Sequence, residues 1–152
     1  MRSAFRAIAL TGLIVGVMDI TSAVIIVLSR GSTVPRLLQF IASGLLGQQA
    51  FEGGTPTALL GLALHFLIAF TLVAVFYAAS RSVGFIRQHA VSSGIIYGLV
   101  VYAVMNLVVL PLSAAKPRHS LAGDLIQIEI HMFVIGLPTS LLLRRFSGAT
   151  AP

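Results

Sequence analysis

Two histidines stand inside long apolar runs: His65 in LALHFLIAF (62–70) and His131 in IEIHMFVIG (128–136). An imidazole in hydrocarbon without a hydrogen-bond partner is costly, so both rings are expected to face protein or water rather than lipid. Asp19 and Asn106 lie in two further apolar runs, and by helical rise all four side chains fall within about one turn of the same depth. A histidine beside a carboxylate can relay protons near neutral pH. The same set could offer a metal two imidazole nitrogens (His65, His131) and one carboxylate oxygen (Asp19), or hold a b-type haem between the two histidines. No H-x-x-x-H, E-x-x-H or haem motif accompanies them, so neither metal nor cofactor is expected, and these three residues are weak ligand candidates. Catalytic residues are not expected either, since the chain has no serine–histidine–acid, paired-carboxylate or nucleotide-binding motif in usable context.

The elements that must position these groups are membrane spans. Of 152 residues 57% are hydrophobic and 9% charged, far too apolar for a soluble domain of this size, and mean hydropathy is +1.01. Without cysteine there is no disulfide or thiolate chemistry. The net charge of +6 resembles a nucleic-acid binder, but the basic residues sit in short clusters between apolar runs. That is the pattern of membrane flanks, and it predicts contact with anionic headgroups rather than nucleic acid.

The expected fold is an all-α bundle of four transmembrane helices, about 7–28, 57–80, 91–113 and 121–143, in one domain over 1–146, with a flexible tail at 147–152. Arg2 and Arg6 ahead of an apolar run, with Thr21-Ser22-Ala23 beyond, also suit a signal peptide. The run is long for that purpose and carries Asp19, which favours a retained span. Gly12, Gly16 and Asp19 share one face of it, and Gly12-x-x-x-Gly16 permits close helix approach. In the first loop, about 35–50 reads as a short interfacial or re-entrant helix. Arg36, Gln39, Ser43 and Gly47 lie along its narrow face and leucines on its broad one. Gly53-Gly54 then makes a turn and no phosphate loop, because no Lys-Ser/Thr follows. Arg81 to His89 reads as a short basic loop. In the third span Gly94, Gly98, Tyr102 and Asn106 share a face, and Pro111 denies the Leu107 carbonyl its usual partner, predicting a bend.

Arg2, Arg6, Arg81, Arg87, Arg144 and Arg145 fall on one side of this topology, and Arg30, Arg36, Lys116 and Arg118 on the other. The excess places both termini in the cytoplasm. TGLIVG (11–16) resembles SGIIYG (93–98), as the two histidine stretches resemble each other, which suits a parallel two-helix repeat or convergent use of small residues. Glu129 is two positions from His131, roughly 200° around a regular helix. If His131 faces the bundle centre, Glu129 points away with Met132 and Gly136, and those three form a candidate homo-oligomer seam. In the converse arrangement Glu129 points inward.

The stretch from Gly61 to Arg145 resembles the YagU-like family of uncharacterised bacterial inner-membrane proteins. The matching features are the histidine in the span ending Phe76-Tyr77, the Gly94-x-x-x-Gly98 run, the Pro111-Leu112 break, and Glu129 and His131 close together ahead of Arg144-Arg145. The chain departs from that pattern in its shorter first loop and in Asn106 where a histidine is expected. The resemblance implies about four spans and a bacterial inner membrane, and no reaction.

Three functions fit these residues. The first is a structural or accessory subunit of a larger membrane complex, with Asp19, His65, Asn106 and His131 as interhelical glue worth ~0.6 kcal/mol per hydrogen bond. The second is a proton- or small-solute-handling protein that uses the same cluster. The third is an intramembrane metal or haem site.

Overall fold

The computed structural model describes residues 2–116 and 120–147. It consists of α1 (Arg2–Ser29), α2 (Val34–Leu46), α3 (Gly54–Ser82), α4 (Gly84–Gln88), α5 (Ala90–Leu112) and α6 (Leu121–Phe146). A 3-10 turn, Gly47–Phe51, follows α2, and no strand occurs among the described residues. Helices α1, α3, α5 and α6 are each long and apolar enough to cross a membrane, so the chain is a four-span α-helical bundle. The first span, 7–28, extends to begin at Arg2, and the others, 57–80, 91–113 and 121–143, each shift by three residues or fewer at either end. Arg118, His119 and the tail beyond Ser147 lie outside the described residues.

Local chemistry explains the element ends. Gly31, at φ 73°, closes α1 as Ser32 N–H bonds the Val27 carbonyl and Gly31 N–H that of Leu28. This pairing needs a left-handed residue that glycine adopts without strain. Thr33 caps α2 ahead of Pro35 in its first turn, and Ser120 caps α6 through Gly123 N–H. The segment between Arg81 and His89, expected as a loop, winds into the single-turn helix α4.

The packing is that of a membrane protein, small inside and large outside. Leu107, Leu112 and Leu121 are 76%, 83% and 79% exposed, while Thr11, Ala42, Ser43, Ala69, Thr139 and Ser140 are buried. Lipid is as apolar as leucine, so close approach at small residues is what holds such helices together. Helix α1 packs on α3 and α6, α5 packs on α6, and α2 lies along α3. Gly12 and Gly16 of α1 receive the rings of Phe70 and Phe66. Gly94 and Gly98 of α5 meet the backbone of α6 at Gly136-Leu137 and His131-Met132. Each half of the chain therefore joins a G-x-x-x-G helix to a histidine-bearing helix.

Two expectations are corrected. Gly136 is no oligomer seam: it is buried against Gly94 and Gly98 of the same chain, and Met132, half-buried, has its Cα close to Gly98. The face to which these two were assigned is consumed inside the bundle, and Glu129 alone remains exposed. The helix at 35–50 is two elements, because Gly47, at φ 61°, ends the α-helix early. Its narrow polar face, carrying Gln39 and Ser43, is turned inward, while Leu45 and Leu46 are exposed. Gln39 donates to the Gly54 carbonyl (3.2 Å), and the Leu38 carbonyl occupies the space a side chain on Gly61 would need.

The start of α1, the end of α6 and α4 gather at one end of the bundle, where Ala7, Phe76, Leu143, Ile86 and Phe146 cluster; it is called below the terminal end. Helix α2 and the α5–α6 connection occupy the other, tied by Ala114 N–H to the Gly44 carbonyl (3.0 Å). This second end is called the loop end.

Candidate functional site

Two of the four spans widen by one residue on approaching the loop end. Met105–Val109 in α5 and His131–Gly136 in α6 are π-helical turns, with Leu110 N–H bonding the Met105 carbonyl and Leu137 N–H that of Met132. Each turn ends two residues before a proline, Pro111 or Pro138. A proline ring collides with the carbonyl four residues back and supplies no N–H, and i→i+5 bonding relieves both. The bend expected from Pro111 thus takes the form of a wide turn. Its counterpart at Pro138 follows from the same reasoning and was not anticipated.

These turns carry Asn106 and His131. Asn106 Nδ2 donates to the Tyr102 carbonyl (2.9 Å) and His131 Nδ1 to that of Gln127 (2.7 Å), while the Tyr102 ring meets His131 edge-on at 5.6 Å. A carbonyl only accepts, so Nδ1 of His131 carries the hydrogen and Nε2 is left with a lone pair in the neutral ring.

His65 is buried between α1 and α3. Its Nε2 donates to the Gly16 carbonyl (2.9 Å), which the absent side chain at Gly16 leaves approachable, and the Phe66 ring stands edge-on at 5.3 Å. The other ring nitrogen, Nδ1, faces Asp19 Oδ2 at 3.9 Å, beyond a hydrogen bond but within ion-pair range. Asp19 lies within electrostatic reach of His131 as well. Of the two histidines Asp19 contacts His65 alone; His131, with Asn106 on its side, stands beyond ion-pair distance.

Beyond this group towards the loop end, a cavity of about 550 Å³ opens between the ends of α1, α5 and α6, with α2 across it. His131 and Asn106 line it, together with Arg30, Asp124 and Gln127, which sequence reasoning had passed over as flanks. A signal was available: Asp124, Gln127 and His131 are spaced i, i+3 and i+7, one face of a helix. Among the described residues no three His, Cys, Asp or Glu side chains are placed to hold a metal ion. The ligand triad His65–His131–Asp19 is thus corrected to a pair plus a neighbour. Ligation of haem by His65 is opposed by the commitment of its Nε2 to Gly16.

Fold and site together define a multi-pass helical membrane protein with an ionisable cluster beside a largely apolar cavity whose wall also carries Arg30, Asn106, Asp124, Gln127 and His131. No family profile, no curated protein and no solved structure matches the chain.

Proposed function

We propose that the protein handles a small solute together with a proton, the solute in the loop-end cavity and the proton on the Asp19–His65–His131 group. The observation that carries this reading is the hydrogen inventory of His65. With Nε2–H given to the Gly16 carbonyl, the lone pair of the neutral ring points at the Asp19 carboxylate. Two acceptors facing each other in apolar surroundings are unfavourable, and one proton between them removes the conflict. His131, on the cavity wall, is the group through which that proton exchanges. The resemblance to YagU-like proteins supports a bacterial inner membrane, and the arginine count supports cytoplasmic termini.

The test is proton flux in liposomes holding the full chain and a trapped pH-sensitive dye, driven by a potassium diffusion potential. Wild-type protein should raise flux above that of empty liposomes, and Asp19→Asn should abolish the increase. A wild type no different from empty liposomes, or an Asp19→Asn variant as active as wild type, removes the reading.

Glu129 favours a second reading as an accessory subunit or homo-oligomer. Its carboxylate is exposed on the outer surface of α6, where facing lipid costs about 2–3 kcal/mol on insertion scales. A partner supplied by a neighbouring chain offsets that cost. Glu129→Gln should then shift the assembly to smaller species in mild detergent, and an unchanged size distribution counts against it.

A further inference from the structure

Helices α3 and α5 meet near the terminal end, where Tyr97 OH donates to the Leu72 carbonyl (2.7 Å) and its ring packs on Phe76 at 4.8 Å. From there towards the loop end they part around a groove of about 440 Å³. Apart from Thr71 and Tyr97 its walls are aliphatic, and Thr71 gives its hydroxyl to the Leu67 carbonyl, so little in it attracts water. Tyr97 closes one end. At the other, Ile68, Met105 and Val109 line both the groove and the loop-end cavity, so the two spaces adjoin across these side chains. Tyr97 to Val109 measures about 18 Å along a helix axis, a length that suits an extended hydrocarbon chain.

The cavity end has the opposite character. Arg30 lies on its wall, with Nη2 3.8 Å from where a side chain on Gly123 would begin, over the first turn of α6. The positive end of the α6 dipole points the same way. Asp124 also lines the cavity and makes an interaction within the protein.

We infer that groove and cavity together form one binding site for a single-chain amphiphile with an anionic head. The chain lies between α3 and α5 with its tip at Tyr97, and the head lies at Arg30. A long-chain fatty acid is the simplest such ligand. The inference names the solute class of the cavity and rests on the cavity being a solute site, but it does not depend on proton movement.

The test uses the full chain in nanodiscs of zwitterionic lipid and a palmitic acid probe bearing a diazirine near its methyl end. Labelling should concentrate around the Tyr97 end of the groove, on 71–75 of α3 and 97–101 of α5, and unlabelled palmitate should compete. Val104→Trp and, from the opposite wall, Thr71→Trp should each block it, while Ile96→Trp, on the exposed face of α5, should not. Arg30→Gln should weaken palmitate binding about tenfold, the usual effect of losing a charge-assisted contact, and leave binding of uncharged hexadecanol unchanged. Labelling spread equally over lipid-facing sites such as Leu13 and Ile25, or unaffected by both tryptophans, overturns the site. Equal loss of palmitate and hexadecanol in Arg30→Gln overturns the assignment of the head. Labelling that persists in a protein without proton flux separates this inference from the proposed function.

Discussion

Gly136→Ala tests the seam on which the α5–α6 half is built. A Cβ at this position would overlap the Gly94 carbonyl oxygen and sit 2.5 Å from Gly98 N, where ordinary contact begins near 3.4 Å. Both obstacles are backbone, so no side-chain rotation relieves them, and the helices must part by about 1 Å. Such a gap forfeits a quarter to a half of each dispersion contact along the crossing. It also strains the Ser140 hydroxyl bond to the Ala90 carbonyl, now 2.7 Å. Overpacking of this kind costs about 1–3 kcal/mol, against about 0.5–1 kcal/mol that alanine gains over glycine in a helix. The net loss is about 0–2.5 kcal/mol, centred near 1, read as a fall of about 2–4 °C per kcal/mol in thermal unfolding of the full chain in mild detergent. Gly84→Ala is the control, because a Cβ there meets open space and the backbone is not left-handed. Equal melting of the two variants would refute the backbone-collision argument.

Gly61→Ala should undock α2, because its Cβ would overlap the Leu38 carbonyl, and limited proteolysis should then cut between Gly47 and Gly54 much faster than in wild type. His65→Leu removes the bond to Gly16 and strands Asp19, for a loss of about 1–3 kcal/mol; pairing it with Asp19→Leu should recover part of that, giving a coupling of about 0.5–3 kcal/mol by chemical denaturation. Additive losses would show that the two side chains do not interact. Single cysteines at Gln88 and Ser120 should label from opposite sides of a sealed membrane, with Gln88 on the side of the termini; labelling of both from one side overturns the four-span topology.

The four spans were legible because apolar runs of this length leave a backbone little alternative to helix in hydrocarbon. The pairing of glycine faces with histidine-bearing helices was legible in part. That Gly12 and Gly16 are contact points follows from spacing, but which helix fills them does not. For the same reason Gly136 was given to a second protomer when its partner is Gly98: a small-residue face carries no mark of whether its neighbour belongs to the same chain. The orientation of α2 could not be read from its faces: Gln39 turns to α3 because its amide donates to the Gly54 carbonyl, while Ser43 beside it satisfies its hydroxyl on the Phe40 carbonyl of its own helix. Pro111 announced its distortion and Pro138 the same one, unread because it sits among residues that otherwise look like plain helix. Asp124, Gln127 and Arg30 stand at span ends, where polar residues are ordinary, so their cavity could be recognised only in three dimensions.

The wide turns divide the bundle into parts of unlike stiffness. Towards the terminal end, α5 and α6 touch backbone to backbone at glycines, an interface with no slack. Towards the loop end, α5 runs through a turn held by a longer-reaching i→i+5 bond where Asn106 looks into the cavity, and α6, whose own wide turn ends in the glycine crossing, has no buried residue from Leu121 to Ile130. Bending or unwinding is cheapest where hydrogen bonding is weakest and packing most open. The segments from Met105 to Leu112 and from Leu121 to His131 therefore form a compliant rim on a rigid base. The rim can adjust around whatever enters between Arg30 and Asn106 while the crossing at Gly94, Gly98 and Gly136 keeps its register.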